Sequence, residues 1–258
     1  MTRVHAMHAS LQFTDTPRQQ DADLKKIFTR ASDRKVGWIT GTEANTDDFR
    51  ERLHDAGEAY GFRVTAHKAS DSWIAVRRGF MLAGTWHGFY SPVLSPTDGV
   101  GKHGPRGVLG VSFKTAEAGS ITVLTAHYLL KGNPDAKLEE RRVNAKFNLQ
   151  LAREIGKLAR EYGKGRNLVF YGGDQNITDR TEDTFMGQPL TSAWDELKRW
   201  ESTGHGTYDV IASYDHDNRV AAAYCRALDD TEFKLNTDHW LVEAGFDIRP
   251  LTSKGGRS

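Results

Sequence analysis

The 258-residue chain is long enough to bury a sizeable core, as one large domain or two small ones. With 35 Lys+Arg against 34 Asp+Glu, its formal net charge of +1 leaves bulk charge silent about nucleic acid, so any basic surface must be local. The one cysteine, Cys225, excludes an intramolecular disulfide. The N-terminus (MTRVHAMHASLQF) lacks a signal-peptide pattern and no apolar run of about 18 residues occurs, so a soluble, cytoplasmic protein with no membrane partner is expected.

Strand-like and helix-like segments alternate, the pattern of an α/β domain. Residues 4–13 read as a strand, and 17–32 as a helix with Thr16 as N-cap before Pro17. Residues 35–42 form a short strand running into Glu43. Residues 46–60 have helical spacing and stop at Gly61. Strands are expected at 62–66, 72–77, 80–86, 107–114 and 120–128. The stretch 85–105, rich in Gly, Pro and His, reads as a long functional loop or an irregular connection. The longest helical pattern is 135–162, with Val143, Phe147, Leu151, Ile155 and Leu158 at three- and four-residue spacing. A short buried strand at 168–171, a helix at 190–200 and strands at 208–212, 220–226 and 240–246 complete the chain. Residues 1–250 are expected to form a single domain, with 251–258 as a mobile tail.

Several strands meet an ionisable group at one end. Glu43 follows VGWITGT, His127 follows ITVLTA, and Asp174 and Asn176 follow LVFYGG. Asp209 precedes VIAS, and Asp238 with His239 precedes WLVEAGF. Singly, each is explained by the turn-forming habits of polar residues. Together they supply hard oxygen donors that suit Mg²⁺ or Mn²⁺, whereas zinc would call for more Cys or His. Asp174 and Asn176, one residue apart, can point to the same side of an extended segment. Gly172 and Gly173 would allow a tight turn or a close approach.

The order of these motifs resembles the endonuclease/exonuclease/phosphatase superfamily, its deoxyribonuclease I-like branch above all. GGDQN is similar to the family's Gly-Asp-x-Asn, NTDHW to its Ser-Asp-His, and TYDVI to its Tyr-Asp-x-Ile strand. GTEA and TAHY precede them in the expected order, so the likeness spans nearly the whole chain. It implies a four-layer α/β sandwich: two face-to-face mixed β-sheets flanked by helices. It also implies a divalent-metal-dependent phosphodiesterase using Mg²⁺ or Mn²⁺, with attack of water in line on phosphorus. Glu43 would ligate the metal and Asp238 would lie in or beside its shell. Asp174 and Asn176 would orient water and phosphate. His239 would act as general base or acid, held by Asp209, and His127 would donate to a phosphate oxygen or to the leaving group. The family's first strand usually ends in a metal-binding asparagine. Here alignment of RVHAMHA offers His8, and a shift of register offers Ser10. His8 would then ligate the metal or bond Asp174, or mark changed chemistry.

The resemblance makes DNA the expected substrate, with RNA as an alternative and no stable protein partner. Arg106 resembles an arginine that approaches the DNA backbone, and Arg77 and Lys102 are further phosphate contacts. Two other readings share the fold: a phosphatase acting on a small phosphorylated substrate or lipid head group, and a catalytically impaired module that binds nucleic acid or protein.

Overall fold

The structure, a computed structural model, describes residues 1–11, 15–93, 106–129, 138–177, 185–199, 201, 203 and 208–250. The first half of the chain runs β1 (Thr2–Ser10), α1 (Pro17–Asp33), β2 (Trp38–Thr42), α2 (Asp47–Ala59), β3 (Phe62–His67), β4 (Ser72–Arg77), β5 (His87–Val93), β6 (Arg106–Thr115) and β7 (Gly119–Thr125). The second runs α3 (Leu138–Tyr162), β8 (Leu168–Ile177), β9 (Thr191–Ser192), α4 (Ala193–Glu196), β10 (Tyr208–Tyr214), β11 (Val220–Leu228) and β12 (Leu241–Ile248). These strands make two six-stranded sheets, ordered β11-β12-β1-β2-β4-β3 and β5-β6-β7-β8-β10-β9. Both are mixed: β1–β2 and β7–β8 pair in parallel, and the other pairs are antiparallel.

Period-two alternation on the central strands builds the layers. On β1, Val4 and Ala6 enter the core between the sheets, while Met7 and Ala9 enter a second core beneath α1 and α2. On β2, Trp38 faces inward and Ile39 outward in the same manner. Trp38 meets Phe170 of β8 across the sheets at 4.6 Å between ring centroids, and Phe246 joins Phe170 at 5.1 Å. Phe147, Leu151 and Ile155 of α3 pack on the other sheet. The result is the expected four-layer sandwich, helices outside two facing sheets. No helix among the described residues is long and apolar enough to cross a membrane.

The local signals behave as the sequence suggests at the helix starts. Thr16 caps α1 in a full capping box with Gln19, and Thr46 caps α2 by accepting from the Phe49 amide. Three segments differ from expectation. Residues 80–86 are not a strand: Phe80 closes a 3-10 turn and packs on Trp38 and Phe113, which explains its apolar character. The strand comes later, at His87–Val93, inside the stretch read as a loop. It is an edge strand, where Pro92 is tolerated because no ladder partner needs its missing N–H. The helix at 190–200 shrinks to Ala193–Glu196, behind the short β9. The tail and much of 85–105 lie outside the described residues.

Candidate active site

A parallel pair at the centre of each sheet decides where the polar groups gather. β1 and β2 end side by side, and so do β7 and β8, bringing Ser10, Glu43, His127 and Asp174 to one edge of the sandwich. The antiparallel neighbours start at that edge. Asp71 precedes β4, Asp209 is the second residue of β10, and Asp238 and His239 precede β12. β8 is longer than its apolar run and continues through both glycines, so Asp174 remains in the sheet.

The glycines are explained by close contact rather than by turning. A Cβ on Gly172 would stand 2.1 Å from Thr40 Oγ1 of the facing sheet, and one on Gly173 would stand 2.4 Å from the Ala126 carbonyl. With hydrogen in those places, β8 lies directly on β2 and on the segment leading to His127.

Asp174 is the centre of the cluster. One carboxylate oxygen, Oδ1, accepts from the Asn176 amide at 2.8 Å. The other, Oδ2, is 3.4 Å from His127 Nε2 and 3.8 Å from His239 Nε2. Each imidazole turns its second nitrogen to a carboxylate: His127 Nδ1 is 3.1 Å from Asp71 Oδ2, and His239 Nδ1 is 2.9 Å from Asp209 Oδ2. Asn176 adopts a left-handed backbone (φ 47°) and donates Nδ2–H to the Tyr128 carbonyl at 2.8 Å. Glu43 Oε1 lies 4.0 Å from His127 Nε2, and Asp238 Oδ1 lies 3.9 Å from His239 Nε2. These two carboxylates form the mouth: their side chains are 19% and 45% exposed, against 2% for Asp174 and 0% for Asp209.

Charge explains the protonation that this geometry favours. Asp174 and Asp209 are buried directly opposite one another on β8 and β10, an arrangement that repels unless cations intervene. Burial lowers the pKa of His127, and Arg106 lowers it further, but Asp71 and Asp174 outweigh both and hold it up at about 9. Burial also works against His239, and Asp209, Asp174 and Asp238 raise it to about 10. In turn, burial would raise Asp209, but His239 first and then His8 bring it well below the usual carboxylate range.

Asp209 is pinned from several sides. Its amide donates to Thr203 Oγ1 at 2.8 Å, and its carbonyl accepts from Trp194 Nε1 at 3.0 Å. Thr203 also accepts the Trp240 amide, tying β10 to the segment that carries His239.

The remaining expected site residues scatter. His8 is fully buried, two residues short of the β1 end, with Nδ1 2.9 Å from Thr40 Oγ1 and Nε2 3.4 Å from Asp209 Oδ1. It faces Asp209 rather than Asp174. Register places Ser10, not His8, beside Thr42, the residue before Glu43, and the two hydroxyls are 2.8 Å apart. Arg106 turns inward, donating to the His127 carbonyl at 3.0 Å and lying 3.4 Å from Asp71 Oδ2. Arg77 closes the far end of β4 and donates to the Lys35 carbonyl, away from the cluster. Lys102 lies outside the described residues. Asp71 and Thr203 were missed by sequence reasoning. Asp71 carried a readable signal, an Asp just before an apolar run (SDSWIAV), as in NTDHWLV.

Among the described residues, Asp174, Asp209 and His239 offer ligand-capable atoms within 4.8 Å of one another. Asp209 already spends Oδ2 on His239. Glu43 beside His127 and Asp238 beside His239 add two further, more exposed carboxylates at the mouth, hard oxygen donors of the kind that suits Mg²⁺ or Mn²⁺.

No protein-family model and no characterised protein matches the sequence. Solved structures match its shape. An endonuclease/exonuclease/phosphatase from Bacteroides vulgatus superposes with a TM-score of 0.71 at 15% identity, covering 96% of this chain and 100% of that one. D. rerio TDP2 complexed with single-strand DNA product gives 0.70 at 13% identity over 96% and 100%. The Bacteroides thetaiotaomicron mannosyl-6-phosphatase Bt3783 gives 0.68 at 15% identity over 94% and 99%. With its two facing mixed sheets and flanking helices, the chain has the deoxyribonuclease I-like fold of endonuclease/exonuclease/phosphatase proteins.

Proposed function

We propose that the chain is a divalent-metal-dependent phosphoesterase that cleaves phosphodiester bonds, with DNA as its substrate. The observation that carries this reading is the pair of imidazoles converging by Nε2 on one buried carboxylate, each held at Nδ1 by a carboxylate of its own. Such a carboxylate fixes the tautomer and ring orientation, leaving Nε2 as the atom that gives or takes a proton. Two imidazoles entering from different strands suit a displacement in which one side of phosphorus loses a proton as the other gains one. His239 serves the attacking water and His127 the leaving oxygen or a phosphate oxygen. Asp174 and Asn176 orient water and phosphate between them. Glu43 and Asp238 would hold the Mg²⁺ or Mn²⁺, which when bound neutralises charge on the phosphate oxygens.

DNA is favoured by the likeness to a structure that contains single-strand DNA product. A second reading, hydrolysis of a small phosphate ester, is favoured by Arg106, whose guanidinium is turned onto the His127 carbonyl rather than outward toward a polymer backbone. One experiment separates them. Purified protein is incubated with supercoiled plasmid in Mg²⁺ or Mn²⁺, with and without EDTA, beside Asp174→Ala. Metal-dependent nicking that the variant loses is the expected result. Phosphate release from sugar or inositol phosphates without nicking would replace DNA by a small ester. Neither activity, with DNA binding retained, would overturn the enzymatic reading.

A further inference from the structure

The geometry points to His8 as a positioning residue for His239: it holds Oδ1 of Asp209 from inside the sandwich, so that this carboxylate is clamped between two imidazoles and presents Oδ2 to the site. The inference rests on the reading above for its link to turnover, though not for the clamp itself.

The inward face of β1 is apolar at Val4 and Ala6 and turns polar at His8 and Ser10. Val4 and Ala6 fill the inter-sheet core, and His8 follows on the same face with no exposed surface. A buried imidazole is tolerated when both nitrogens are matched. Nδ1 has Thr40 Oγ1 at 2.9 Å, and Thr40 Oγ1 is 3.3 Å from the Met7 carbonyl to which it can donate. Nε2 faces Asp209 Oδ1 at 3.4 Å, and neither of those atoms makes a hydrogen bond among the described residues. A bare nitrogen lone pair against a carboxylate oxygen would repel, so Nε2 carries a proton whichever way Thr40 points. Hydrogen bonds of this kind are often long in the free enzyme and shorten in the complex.

The clamp has a fixed floor. Gly172 leaves room for Thr40 Oγ1 against β8, so Thr40, and through it the His8 ring, is wedged between the sheets. The backbone of Asp209 is held by Thr203 and Trp194, which leaves rotation of its carboxylate as the freedom still to be removed. Oδ2 alone, bonded to His239, would let the carboxylate and ring swing together, and the His8 N–H at Oδ1 stops that swing. The position also argues against metal ligation. Both ring nitrogens are turned to Thr40 and Asp209, and Ser10 stands where the strand reaches the mouth.

His8→Asn and His8→Gln divide the two ring functions. Asn can keep an N–H near the Nδ1 position, toward Thr40. Gln can keep one near the Nε2 position, toward Asp209. In metal-free, ¹⁵N-histidine-labelled protein, the wild type should show the His239 Nδ1–H as a downfield, slowly exchanging ring proton. His8→Gln should retain that proton signal, and His8→Asn should broaden or lose it. With the substrate found above, His8→Asn should lower kcat by about 10- to 100-fold with KM nearly unchanged, the usual range for loss of a supporting partner, and His8→Gln should recover most of it. If His8→Asn does not fold, Thr40→Val, which removes the partner of Nδ1, should weaken the same signal. An unchanged His239 signal in folded His8→Asn, or equal losses in the Asn and Gln variants, would reduce His8 to a packing residue. Because the spectrum needs no turnover, absence of phosphoesterase activity would count against the proposed function and not against the clamp.

Discussion

The site is built from two histidine–carboxylate pairs that look alike and are balanced differently. His127 with Asp71 and His239 with Asp209 both turn Nε2 toward Asp174 and Nδ1 toward their own carboxylate. The difference lies in the third member. Asp71 has Arg106 at 3.4 Å, a group that stays charged at any working pH. Asp209 has His8, an imidazole, at the same distance. The guanidinium works against the proton on His127, whereas His239 has a third carboxylate, Asp238, in its favour. Both imidazoles are held well above their ordinary value, His127 at about 9 and His239 at about 10. The lesson is that dyads of the same geometry stand in different electrostatic surroundings, set by what lies behind the carboxylate.

The largest expected effect breaks the His239 pair. Asp209→Asn should lower kcat by ~10³–10⁴-fold, as when a buried orienting carboxylate is lost. Asp71→Asn should cost only ~10–100-fold, because Arg106 still fixes the His127 backbone through its carbonyl. Steady-state turnover of the two variants side by side decides it, and equal losses would refute the asymmetry. Next, adding Mg²⁺ should lower the titration midpoints of both imidazoles by ~1–3 pH units, because a cation among the same carboxylates takes over the stabilisation that the protons supply. Histidine NMR titrations with and without Mg²⁺ read this directly.

Stability should follow the same charges. Both histidines bind protons more tightly folded than unfolded, where the pKa is about 6.5. Their contribution is complete below that pH and is lost as pH rises through about 9 and 10. In EDTA, Tm should therefore fall steadily from neutral pH to pH ~10, and less so in His239→Gln. The smallest effect concerns the permanent charge. Arg106→Gln should raise the His127 midpoint and leave that of His239 in place, since Arg106 acts to lower the former. Movement of both would mean that the two pairs are not separately tuned.

Much of this architecture was legible in the sequence because the strands and the clustered polar groups share one signal, an apolar run with an ionisable residue at its end. Glu43, His127, Asp174, Asn176, Asp209, Asp238 and His239 converge for that reason. Asp71 carries the same mark in SDSWIAV, where the turn-forming habits of Ser and Asp would also account for it locally. The strand at His87–Val93 was hidden by its own edge position, which tolerates Gly and Pro. His8 illustrates what one chain cannot disclose about itself. Period-two alternation gives His8 and Ser10 the same face, and only the parallel register with β2 puts Ser10 at the mouth and His8 over Thr40.

Glu43, Asp71 and Asn176 share a backbone property that bears on how this protein would change under selection. All three have left-handed φ values, of 70°, 46° and 47°. For residues with a Cβ that conformation is unfavourable by ~1–2 kcal/mol each, a penalty glycine escapes. A library selected for heat resistance alone should therefore drift toward glycine at these positions and lose its chemistry as it gains stability. A library selected for turnover should refuse that drift. The rim of the site is thus the place where durability and activity compete for the same three residues.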